Sequence, residues 1–143
     1  MYLEISGRQT GKTTRLINQI YADKNKYDLQ ILMGMNFKSL KAIKKQIIGN
    51  NKVKICLSYE SLKNLLLGSK IKRVKLYVDE FLFSNAFCNN FQDIQRFETD
   101  YNLISNGYFS SSLNSEHYIT LYDMQVMNNQ NLITVNITNK FML

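Results

Sequence analysis

Apolar and polar positions follow two periods along this chain, and the periods take turns. Residues 2–6, YLEIS, have the two-residue alternation of a short strand. Residues 12–22 then set Leu16, Ile17 and Ile20 on one face of a helix. Residues 29–35, LQILMGM, are a continuous apolar run of strand length, the pattern of a buried strand. Helical spacing returns at residues 37–48, where Phe37, Leu40, Ile43 and Ile47 stand three and four apart before the stop signals Gly49 and Asn50. VKICLS, residues 53–58, is strand-like, and Ser58 is placed to cap a helix running to Leu67 and ending at Gly68. VKLYVDE, residues 74–80, predicts the next strand. A helix over 91–104 is closed by Asn106 and Gly107. YFSSS, residues 108–112, is a short strand, 114–127 a helix, and NLITVNIT, residues 131–138, a β-branched closing strand.

Strands that alternate with helices predict βαβ units and a mostly parallel central sheet covered on both faces, a three-layer α/β architecture. The 143 residues fit one domain, residues 1–143. Right-handed crossovers bring the carboxyl ends of the strands, and the loops after them, to one edge. Ligands of open parallel sheets bind at that edge.

The first such loop carries candidate chemistry. Ser6, Gly7, Arg8, Gln9, Thr10, Gly11, Lys12 and Thr13 follow the phosphate-loop pattern G-x-x-x-x-G-K-[ST], with serine for the first glycine and Gly7 directly after it. Successive backbone N–H groups of such a loop turn inward around phosphates, which needs glycine-permitted dihedrals. The helix that follows adds its N-terminal dipole. Lys12 is expected to reach the β and γ phosphates of ATP, Thr13 to offer its hydroxyl to Mg²⁺, and Thr14 to anchor an upstream phosphate. The competing reading is a polar strand-to-helix turn.

A phosphate loop needs an acidic strand beside it, and VKLYVDEF supplies one. Val74, Leu76 and Val78 alternate, and Asp79 and Glu80 stand at the carboxyl end. Asp79 is expected in the Mg²⁺ shell and Glu80 as the general base that polarises water. A glutamate poised for water suits a hydrolase better than a kinase, which must keep water out. The competing reading is an acidic strand end at the surface.

Composition alters this picture in few places. The formal net charge is +7, and the basic residues crowd between positions 37 and 75, where Glu60 is the only acid. Such a field favours a polyanion, nucleic acid above all, although a solvated lysine face is the plainer alternative. No apolar run is long enough to span a bilayer, and the start lacks a secretory pattern, so a cytoplasmic protein is expected. Cys56 and Cys88 have no metal spacing and read as buried thiols. His117, Phe81, Phe83, Phe87, Arg96, Tyr118 and Tyr122 read as packing or surface residues.

SGRQTGKTT resembles the phosphate loop of the ATPase domain in phage terminase large subunits, the motors that pump DNA into capsids, and KLYVDEF is similar to that family's acidic strand. YFSSSLN looks like its third motif, a strand ending in hydroxyl residues. The resemblance implies an additional-strand P-loop ATPase that binds Mg-ATP and works on DNA, as a homo-oligomeric ring or with phage partner proteins in a host cytoplasm. It implies that Arg8 acts on the γ-phosphate, and that Ser110, Ser111 and Ser112 couple hydrolysis to motion. The family's C-terminal nuclease domain and N-terminal adenine-binding extension have no counterpart here, so a stand-alone motor-like ATPase is expected. VDEFLF also resembles thymidine kinases, but two distant cysteines cannot build the four-cysteine zinc site usual there. A nucleotide-gated nucleic-acid loader without efficient turnover is the non-catalytic alternative, and a helicase would need a second lobe.

Overall fold

The computed structural model describes residues 2–5, 11–47, 53–67, 73–80, 107–111 and 134–137. Strand β1 (Tyr2–Ile5) leads to helix α1 (Lys12–Ala22), β2 (Leu29–Met33), α2 (Phe37–Lys45), β3 (Val53–Cys56), α3 (Tyr59–Leu66) and β4 (Val74–Asp79); β5 (Tyr108–Ser111) and β6 (Thr134–Ile137) complete the described elements. The strands form one sheet in the order β3-β2-β4-β5-β1-β6, and every described pairing is parallel. The α/β fold with a parallel sheet expected from the alternating periods is therefore present. The helices expected over 91–104 and 114–127 lie outside the described residues.

Burial follows strand position. β2 and β4 are buried along nearly their whole length, as central strands of a parallel sheet are, whereas Lys54 of edge strand β3 is exposed. On one face Leu32, Val53, Tyr77 and Tyr108 form a single cluster with Leu16 and Ile20 of α1 and Leu40, Ile43 and Ile47 on and after α2. Alternate strand residues Ile31, Met33, Leu76, Val78 and Phe109 are just as buried, so both faces of the sheet are covered. Helix α3 lies against β3 and buries Leu62 and Leu66.

Local chemistry explains the helix starts. Asn36 accepts a hydrogen bond from the Ser39 N–H at the head of α2, and Ser58 does the same for the Ser61 N–H at the head of α3. Such caps contribute about 1 kcal/mol each. Helix α1 begins differently: Gly11 precedes it in the left-handed region, at φ 82°, with no side-chain cap and no acid in the first turn.

Charges inside the fold are tied in pairs. Glu4, almost fully buried on β1, receives the Arg15 guanidinium (Nε–Oε1 2.8 Å) and the Tyr108 hydroxyl (3.3 Å). Asp23, just after α1, receives Lys75 Nζ at 2.7 Å and the Tyr77 hydroxyl at 2.8 Å. Burial pushes the Asp23 carboxyl up, but hydrogen bonds from Lys75, Gln19 and Tyr77 outweigh it and hold it below the usual range. Lys75 therefore belongs to the interior and not to an outward basic field. A buried strand can carry such a cation because a carboxylate meets it there.

Candidate nucleotide site

Two segments that stand far apart in sequence meet at the carboxyl edge of the sheet. One is the start of α1, which follows the loop after β1. The other is the end of β4. Lys12 Nζ lies 2.9 Å from Glu80 Oε1, and both side chains are largely shielded from solvent. Thr13 Oγ1 donates to Asp79 Oδ1 at the long distance of 3.4 Å. Strand β5 lies between β1 and β4, and Ser110 is in register with Glu4 on one side and Asp79 on the other. Ser110 is fully buried, and its Oγ has no hydrogen-bond partner among the described residues.

The backbone is unusual at both segments. Gly11 at φ 82° takes a conformation that other residues enter at a cost. Glu80 is the one non-glycine residue with positive φ among the described residues, at 52°. A glutamate there stores on the order of 1 kcal/mol of backbone strain. Gly34, just past β2, is the third backbone element at this edge: a Cβ on it would come within 3.1 Å of the Asp79 carbonyl oxygen and 2.8 Å of Leu40 Cδ2. Glycine lets β2 approach the acidic end of β4 this closely.

Electrostatics make the pair of acids demanding. Burial raises the Asp79 carboxyl, the neighbouring Glu80 charge raises it further, and Lys12 and Thr13 only partly offset them, so that it reaches about 6. A cation near both acids relieves that repulsion. Among the described residues no three His, Cys, Asp or Glu side chains gather as an all-protein metal cage. A magnesium ion bound with a nucleotide does not need one: it takes one or two protein oxygens and completes its shell with phosphate and water. Thr13 and Asp79 are hard-oxygen donors of that kind, and the unpartnered Ser110 hydroxyl adds a polar group one strand away.

The other residues singled out from the sequence divide by position. Thr14 is exposed in the first turn of α1. Ser111 is fully buried on β5. Ser6, Gly7, Arg8, Gln9, Thr10 and Ser112 lie outside the described residues, as do Arg96, His117 and the aromatic residues named with them. Cys56 is a buried free thiol, pushed by burial up to about 11. Sequence reasoning missed Glu4 and Arg15, which tie α1 to β1. The signal was present: a glutamate inside a four-residue apolar strand needs a buried partner. Against known proteins, the chain matches no family model and no curated protein.

Proposed function

We propose that this chain is an additional-strand P-loop ATPase of three-layer architecture that binds and hydrolyses Mg-ATP and couples turnover to DNA handling, in the manner of phage packaging motors. The observation that carries the reading is the meeting of Lys12 with Glu80 and of Thr13 with Asp79 at the carboxyl edge, across more than sixty residues of sequence. The uncapped start of α1 supports it, because helix N–H groups without a side-chain cap suit an anion. The strand order supports it too, since β5 intervenes between the strand of the loop and the strand of the acids.

On this reading Lys12 exchanges Glu80 for the β and γ phosphates when ATP enters. Glu80 is thereby released to accept a proton from the attacking water. Thr13 and Asp79 would hold a magnesium ion, which would supply charge neutralisation to the phosphates. Arg8 adds charge at the γ-phosphate. Ser110, beside Asp79 in register, is the group best placed to pass a change at the acids to the rest of the sheet.

Steady-state phosphate release, with and without DNA, on the parent and on Glu80→Gln tests this. The parent should turn over faster with DNA. Glu80→Gln should bind ATP yet lose about 10²–10⁴-fold in turnover, the range of a general base. Unchanged turnover would remove Glu80 from the mechanism. Phosphate transferred to added thymidine would instead favour a nucleoside kinase.

A further inference from the structure

We propose that the outer face of α2, with the apolar residues around its start, is a binding surface for single-stranded DNA. The choice of DNA rests on the partner proposed above; the surface itself rests on separate observations.

Helix α2, FKSLKAIKK, has four lysines and no acid. Leu40 and Ile43 enter the core, whereas Phe37, Lys38, Lys41 and Lys45 are exposed. At 100° per residue Phe37, Lys41 and Lys45 lie along one line, with Lys38 beside it. Among the other described cations Lys12, Arg15, Lys26, Arg73 and Lys75 each meet a carboxylate, whereas Lys24, Lys54 and Lys63 stand singly on other segments. Lys38, Lys41, Lys44 and Lys45 have no ion-pair partner among the described residues. Like charges three and four apart repel on a helix, so this row lowers the helix's own stability unless a polyanion faces it.

The second observation says which polyanion. Phe37 is 52% exposed, Met35 55% and Leu57 41%. Met35 and Phe37 follow β2 and Leu57 follows β3, its neighbour in the sheet, so all three stand at the carboxyl edge that also holds Lys12 and Asp79. A duplex keeps its base faces stacked inside and offers phosphates and groove edges, so exposed aromatic and apolar side chains find no base face to stack on. An unpaired strand offers both, with phosphates for the lysine row and base faces for Phe37 and its apolar neighbours.

Fluorescence anisotropy of labelled oligo(dT), titrated at several salt concentrations, tests the surface. The substituted side chains are exposed, so the fold is expected to persist, and circular dichroism checks this. The triple variant Lys38→Gln, Lys41→Gln, Lys45→Gln should reduce the slope of log affinity against log salt by about 2, at about 0.7 for each lost phosphate contact. Phe37→Ala should weaken binding about 5- to 100-fold with little change in slope, as loss of one stacked base does. Lys26→Gln, exposed in the turn after α1, should change nothing. Unchanged binding in Phe37→Ala, an equal loss in Lys26→Gln, or tighter binding of duplex DNA or oligo(rU) would overturn the proposal. Nucleotide binding measured on the same proteins separates the two readings. A parent that binds ATP but not oligo(dT) overturns only the DNA surface; one that binds neither overturns the ATPase reading as well.

Discussion

Asp79 is the residue at which burial and like charge act together. Its carboxyl stands at about 6 in the folded chain, against an ordinary value of 3.8. The unfolded chain therefore releases this proton at lower pH than the folded one. Stability from the protonated group is fully present below about 4 and is lost as pH rises through about 6. Replacing the acid removes that loss. Without nucleotide or metal, Asp79→Asn should be more stable than the parent at pH 7 by about 1–3 kcal/mol, with the difference vanishing near pH 4. Urea denaturation across that range measures it, and a variant less stable at pH 7 would show that the acid is not destabilising. In the proposed function a magnesium ion would offset the cost at Asp79, and water activation would use the strained Glu80. Neither cost was legible in the sequence. The order Val-Asp-Glu announces two adjacent acids at a strand end, but the burial that makes their charges costly arises only in the fold.

At the scale of elements, the three described helices begin in two ways, and the difference tracks chemistry. Helices α2 and α3 start on side-chain caps from Asn36 and Ser58, the polar residues that local sequence rules seek. Helix α1 starts on Gly11 without one, where the fold holds Lys12 and Thr13 toward the acids of β4. Periodicity located these elements well because each has a single core-facing stripe: α1 occupies the residues that Leu16, Ile17 and Ile20 predict. Its ends were less secure. The second strand stops at Met33, short of Met35, and α2 ends at Lys45, short of Ile48. The close approach at Gly34 gives a prediction for the packing of β2 on β4. Gly34→Ala must displace either the Leu40 side chain or the Asp79 carbonyl. It should cost about 1–3 kcal/mol in thermal or denaturant unfolding. Wild-type stability in this variant would mean that the two strands have slack at the site.

For the whole molecule, the arrangement of charge was the least legible feature. Composition reports an excess of cations, yet it cannot say which are spent inside. Lys75 counts toward the basic stretch in sequence and is buried on Asp23 in the fold, while Lys38, Lys41 and Lys45 stand outward together. Likewise Glu4, Arg15 and Tyr108 come from three distant segments, and only the order of β5 beside β1 unites them. What the alternation of elements did foretell is the edge: parallel strands turn their carboxyl ends one way, so the start of α1 and the acids at the end of β4 share a side. The proposed function requires this shared side to take a triphosphate with magnesium. Calorimetric titration of ATP, with and without Mg²⁺, into the parent and Lys12→Ala tests it most directly. Saturable binding to the parent that strengthens with Mg²⁺ is expected, weakened about 10- to 100-fold in Lys12→Ala by loss of a charged hydrogen-bond donor. A folded parent that takes up no ATP in the presence of Mg²⁺, or a Lys12→Ala protein that binds it equally well, would rule out a phosphate site at this edge.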